Sequence, residues 1–417
     1  MKSWRRIAAT VPAVLAGVGL TFAVPAGAAP VAGAPAGGAA VRLVSTSTLA
    51  MATANGRVNA LAYAGGTVYA GGTFSRLTFG RTRYFRPHLG AVSSATGAPT
   101  SFRPGINGVV RSLALSRDNA VLYVGGKFTK VGQAYRSNVA AFSTSTGALL
   151  SFAPKVAGIV VAIAVTSSGI YLGGTIAKVN GRRRTDAAEV THGGALLPWA
   201  PRLDGYVRAL LVSPDRTRIF LGGGFHHVNR AAREALGSVN LTSGASERFT
   251  RHLIPTYRRR GRVSEVTSLT SDGHLIFAGA EGTGKGVFDG TLAFRPKTGK
   301  LVWRNTCLGA TQGVLYLHGV LYKASHAHDC SSAGGFGQIR HGWQAHHLLA
   351  EDPADGTLLR WGTTAASRPR PRPDTNGGTG NELGPFCFAT DGAQLFVGGE
   401  FTVVNGRAQE GLARFGP

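Results

Sequence analysis

LYVGGKF, residues 122–128, is a short apolar run closed by two glycines, a basic residue and an aromatic. The pattern returns as YAGGTF (69–74), YLGGTI (171–176), FLGGGF (220–225) and FVGGEF (396–401), with weaker copies FAGAEG (277–282) and YKASHA (322–327). Anchoring each copy two residues after its aromatic gives positions 71, 125, 173, 222, 279, 324 and 398. Seven units of roughly fifty residues mean an array, because self-similarity at a fixed period marks a stacked supersecondary unit.

An alternating apolar run precedes each anchor, as in Val110-Arg111-Ser112-Leu113-Ala114-Leu115, and that alternation reads as a strand. Turn signals such as Asp118-Asn119, Asp272-Gly273 and Asp391-Gly392 then reverse the chain into the anchor strand. A polar loop leads to a third strand (138–142, 235–239, 290–294, 347–350). A Thr-Gly or Asp-Gly turn opens a fourth, which ends in an aromatic such as Phe152, Trp199, Trp303 or Trp361. Four strands of this length cannot bury their apolar faces alone, so neighbours must stack about an axis.

The last unit stops at its third strand, 411–415, while residues 41–48 echo 140–146. Val41 to Thr48 is therefore expected to supply the missing outer strand and close the ring between the termini. The expected fold is all-β, a seven-bladed β-propeller of four-stranded antiparallel blades spanning 41–417. An open β-solenoid or two separate β domains are the alternatives.

Residues 1–28 carry Lys2, Arg5 and Arg6 ahead of an apolar stretch, 7–24, and a small-residue site at Ala26-Gly27-Ala28, which reads as a secretory signal peptide. An uncleaved anchor is the other reading of that apolar stretch. Residues 29–40 are rich in Ala, Pro and Gly and read as a linker. The formal charge is +25, and taking away the three leader cations leaves +22. Such a charge attracts anionic polymers through salt-sensitive contacts. Cations concentrate at Arg182-Arg183-Arg184, at Arg258-Arg259-Arg260 with Arg262, and at Arg368, Arg370 and Arg372. Aromatics are not interleaved with them, which argues against a nucleic-acid partner.

Three cysteines are present. In an exported chain a pair becomes a disulfide, and Cys307 with Cys330 is the expected one, leaving Cys387 as a buried free thiol inside a strand. Units five and six abandon the glycine pattern, and departures from a repeat are where function is sought. The position after the second anchor glycine reads Thr73, Lys127, Thr175, Gly224, Glu281, His326 and Glu400. Equivalent positions form a circle in a closed ring, so Glu281, His326 and Glu400 are the candidate catalytic residues. Asp289, Gln312, His328 and Asp329 are candidate ligand-binding neighbours. Glu281, His326 and His328 are candidate ligands for a divalent metal, the one cofactor this pattern admits.

GAEGTGKG (279–286) fits a phosphate-binding loop only superficially, because Gly286 stands where Ser or Thr must reach magnesium and no helix follows. No Gly-x-Ser-x-Gly elbow is present. With LYVGGKFTKVGQAYRSNVAAFSTSTGALLSFAP (122–154) and LFVGGEFTVVNGRAQEGLARF (395–415), the chain resembles the secreted repeat propellers of actinobacteria, of the delta-60 repeat type. EGTGKGVFDG (281–290), CLGATQ (307–312) and SHAHDC (325–330) share in the likeness. The resemblance implies secretion and a seven-bladed ring and assigns no reaction. The expectation is a monomeric, secreted, non-catalytic binding or scaffold protein for anionic cell-envelope or extracellular polymers, without a membrane span once the leader is removed. The alternative is a metal-assisted hydrolase or lyase acting on a sugar or lactone at the face of units five to seven.

Overall fold

A computed structural model describes residues 41–250, 253–255, 263–283, 287–337, 346–361 and 384–417. The leader, the linker, the cation runs at 258–262 and 368–372, and Lys285 lie outside the described residues. The described chain is all-β, built from small antiparallel sheets, with one 3-10 turn at Ser331–Ala333.

Seven of these sheets share one plan, in which the first and third strands flank the second. The first unit is Val58–Ala64, Thr67–Gly72 and Leu89–Ser93. The second is Val109–Leu115, Val121–Lys127 and Val139–Ser143. The third is Val156–Val165, Ile170–Val179 and Ala187–Val190. The fourth is Val207–Val212, Arg218–Gly223 and Leu236–Asn240. The fifth is Val263–Ser271, Ile276–Thr283 and Gly290–Phe294. The sixth is Thr311–Leu317, Val320–Ala327 and His346–Glu351. The seventh is Gly384–Thr390, Leu395–Glu400 and Leu412–Phe415. Each first strand packs against the first strand of the next unit, and Gly384–Thr390 packs against Val58–Ala64.

The paired glycines are explained by two different close approaches. A Cβ on Gly125 would stand 2.6 Å from Val160 Cγ1 of the third unit, and one on Gly173 would stand 2.7 Å from Val207 Cγ1 of the fourth. The first glycine thus lets a neighbouring unit's first strand sit directly on the sheet. A Cβ on the second glycine, Gly72, would overlap the Arg57 carbonyl of its own partner strand. In the sixth unit Ala324 takes the first glycine's place, and the small residue has moved to its opposite number, Gly313.

Aromatics fill the seams. Tyr69 meets Phe102, Tyr123 meets Phe152, Tyr171 meets Trp199 and Tyr322 meets Trp361 edge-on, with ring centroids 5.0–5.2 Å apart. Such pairs contribute about 0.5–1.5 kcal/mol beyond the area they bury. The indoles also bond from one unit to the next, Trp199 Nε1 to Asn240 O at 3.1 Å, Trp303 Nε1 to Pro353 O at 2.9 Å and, across the chain termini, Trp361 Nε1 to Val44 O at 2.8 Å.

Two expectations need correction. A full fourth strand is present in the fifth unit, Leu301–Asn305. In five others that segment is reduced to one bridge, Val92 with Pro99, Phe142 with Leu149, Val190 with Leu196, Val239 with Ser246 and Glu351 with Leu358. Pro99, Pro104, Pro154, Pro198 and Pro201 punctuate several of these segments, and a proline has no N–H to extend a ladder. Val41 to Thr48 is likewise not a continuous strand, yet it does pair with the other terminus. Thr48 bridges Phe415, Leu49 N donates to Arg414 O at 2.8 Å, and Ser45 N donates to Gly416 O at 2.8 Å.

Candidate functional site

In every unit the ladder between first and second strands slips at an equivalent residue, Asn59, Arg111, Val161, Arg208, Thr267, Gln312 and Phe386, and the third unit slips a second time between Ala157 and Gly158. A bulge leaves one residue outside the ladder and re-aims its side chain. It also frees a backbone carbonyl, which must find another donor. The neighbouring unit supplies it: Asn59 Nδ2 donates to Val110 O at 2.8 Å and Thr267 Oγ1 to Thr311 O at 2.6 Å. Units one and five are therefore tied to the next unit where their bulges lie.

Charge collects at these same bulges. Arg208 is ion-paired with both Glu281 and Glu265 of the fifth unit, the latter at 2.9 Å. Burial opposes the charge of Arg208, but the two carboxylates outweigh it and hold the guanidinium above its ordinary value. Tyr206 donates its hydroxyl to Glu265, and burial, reinforced by that carboxylate, raises the phenol. Across the junction of the chain termini, Glu400 is ion-paired with Arg57, whose Nε donates to Oε2 at 2.7 Å. The Arg57 guanidinium also lies 4.8 Å over the ring of Phe386.

Arg111 differs from the other two arginines. It has no hydrogen bond or ion pair to an acidic group among the described residues. Burial, and then the like charges of Arg57 and Arg208, lower its guanidinium from the ordinary value. Arginines from units one, two and four thus converge on one locus, and Lys127 stands exposed across the ladder from Val109 beside it. The arginines can hold carboxylate or phosphate oxygens in a planar fork.

Two of the three candidate catalytic residues belong to this cluster, and each is engaged by an arginine. Glu281 is taken by Arg208 and Glu400 by Arg57. His326 lies on Val320–Ala327, its ring centroid 5.8 Å from that of His347, with no hydrogen-bond partner at Nδ1. Burial, and secondarily His328, keep its imidazole below the ordinary histidine value. His328 N donates to Leu308 O at 2.8 Å. Asp329 accepts from Ser331 N at 3.0 Å and Ser331 Oγ at 2.7 Å, a turn-capping role. Gln312 is the sixth unit's bulge residue and is buried.

Asp289 accepts from Gly282 N, and burial pushes its carboxyl up to about 6. Among the described residues no three His, Cys, Asp or Glu side chains are grouped to hold an ion, and Glu281 is ion-paired with Arg208.

The Cys307–Cys330 disulfide is formed as expected, and Cys387 is free. Cys387 is only partly buried as a residue, but its Sγ faces Val58 O at 3.7 Å and burial raises the thiol. A cleft of about 720 Å³ opens at the other end of the second unit's first strand, between Arg117, Asp118, Tyr123, Phe152, Thr166 and His192, and none of Arg57, Arg111 and Arg208 lines it. The bulge was the signal that residue types alone did not carry. Arg111 and Arg208 look like ordinary surface cations of alternating strands until the register slips.

No protein-family model and no curated protein matches the chain. Among solved structures, a chain of the Mitotic Checkpoint Complex is similar at a TM-score of 0.52 and 14% identity, over 97% of this chain and 99% of that one. The computationally designed Ika8 protein is similar at a TM-score of 0.46 and 12% identity, over 89% of this chain and 99% of that one. The likeness to the checkpoint-complex chain is one of fold. Among the described residues no helix is long and apolar enough to cross a membrane.

Proposed function

We propose that the chain is a secreted seven-bladed β-propeller of the delta-60 repeat type that binds anionic cell-envelope or extracellular polymers, seating one carboxylate or phosphate at Arg111. The circular succession of first strands, with the seventh packed on the first, and the pairing of residues 45–49 with 414–416 support the ring. The disulfide supports an oxidising compartment. The observation that carries the binding reading is Arg111, which has like charges on either side and no acidic partner among the described residues. The +22 charge remaining after the leader cations adds long-range attraction. Retention on purified wall polymer across a salt series tests it. Binding at low salt that weakens as salt rises supports the reading, and absence of binding at low salt, or indifference to salt, overturns it.

The hydrolase or lyase alternative keeps one favourable observation, Asp289, a carboxyl raised to about 6 beside Glu281 and suited to general acid work. Its test is turnover of sugar lactones or glycosides that disappears in Asp289→Asn. Turnover unchanged in that variant, or none in the wild type, removes the alternative.

A further inference from the structure

Units five and six share a polar group in an otherwise apolar interior. At the position of Lys323 the other units carry Ala70, Val124, Leu172, Leu221, Ala278 and Val397. Glu351 stands opposite Leu321, where equivalent registers place Val92, Phe142, Val190, Val239, Phe294 and Phe415. Both changes fall in one unit and meet: Lys323 Nζ lies 3.3 Å from Glu351 Oε1, and both side chains are fully buried. The same Oε1 accepts from Asn305 Nδ2 of the fifth unit at 3.1 Å, and Oε2 accepts from Thr291 Oγ1 at 2.7 Å. Asn305 is itself buried, and its Oδ1 has no hydrogen-bond partner.

An amine and a carboxamide gathered on one carboxylate, away from water, are the reactants and the base of an amide-exchange reaction. We propose that Lys323 and Asn305 join in an intramolecular isopeptide bond formed with Glu351 as proton carrier. Glu351 takes a proton from Nζ, and the free amine attacks Asn305 Cγ, where charge gathers on the unpartnered Oδ1. The Cγ–Nδ2 bond then breaks and ammonia leaves. Nζ loses two protons in all; one departs on ammonia and the other remains on Glu351 as a neutral carboxylic acid. No oxidant or cofactor is consumed, and the two buried charges are replaced by neutral groups, which removes the desolvation cost of the ion pair. Fixed proximity supplies the rate that the same groups lack in solution, and exclusion of water suppresses the competing deamidation.

The bond would fasten Leu301–Asn305 to Val320–Ala327, close to where Cys307–Cys330 already staples the chain. Units five and six, which carry none of the small outer hairpins seen in the others among the described residues, would then be held by two covalent links.

Mass spectrometry of the purified, reduced and denatured protein, with peptide mapping, tests the proposal. The wild type is expected to yield one tryptic peptide spanning residues 305–340, closed into a loop between Asn305 and Lys323, lighter by one ammonia than its linear sequence and with no cleavage after Lys323. Lys323→Arg and Glu351→Gln are expected to yield only linear peptides. Glu351→Gln preserves shape, so loss of the loop with a retained fold assigns the proton carrier. A wild type that yields the linear peptide 305–323, deamidated or not, overturns the proposal, as does a loop that persists in Glu351→Gln.

Discussion

Arg208 of the fourth unit holds Glu281 of the fifth, and the same guanidinium also takes Glu265 at 2.9 Å. Two carboxylates on one arginine, and a third on Arg57, use up the acids of the bulge cluster and leave Arg111 among cations. The arrangement is uneven by design of the register. The second unit contributes Arg111 with Lys127 opposite Val109, whereas the fifth contributes Glu265 and Glu281 opposite each other.

Gly125→Ala is expected to destabilise the fold by about 1–3 kcal/mol, because the added methyl meets Val160 of the next unit at 2.6 Å and forces overpacking at a seam. The denaturation midpoint in urea should fall with little change in slope. An unchanged midpoint would mean that the seam relaxes freely.

Cys307→Ser is expected to cost about 3 kcal/mol, from the entropy released when a loop of this length opens in the unfolded chain. Cys387→Ser should leave no comparable loss, since its thiol bridges nothing. Equilibrium unfolding of the two variants side by side separates the roles.

How much of this was legible beforehand differs from feature to feature. The recurring glycine pair announced the seven sheets because both glycines are required sterically, at Gly125 by Val160 and at Gly72 by Arg57. The Cys307–Cys330 pairing followed from the expectation of export and from the spacing. The ion pairs of Glu281 and Glu400 were not legible, because a carboxylate at an aligned position looks the same whether it faces a metal, a substrate or an arginine. Lys323 and Glu351 stand at repeat positions that are apolar in the other units, and the sequence reading did not single them out. Only the paired register of three strands puts them, with Asn305, on one carboxylate.

Asp289 gives a pH signature. Its folded value, about 6, lies above the unfolded 3.8, so the folded chain binds more protons through that window. The contribution is present below the unfolded value and is lost as pH rises from about 4 to about 6. It amounts to on the order of 2 kcal/mol after discounting for the exposed edge of the carboxyl. Asp289→Asn should flatten stability across that interval, as followed by thermal unfolding at stepped pH. A slope identical to the wild type would assign the titration elsewhere.

The central claim is that Arg111 seats an anion. The most direct measurement is the affinity of Arg111→Gln for the anionic polymer at low salt, compared with Arg182→Gln, an exposed cation on the third unit's Arg182–Arg183 strand. The account predicts that Arg111→Gln weakens binding about tenfold or more, the loss of one charge-assisted contact, while Arg182→Gln changes it little. Equal losses in the two variants would contradict it, because the polymer would then be answering to net charge and not to this site.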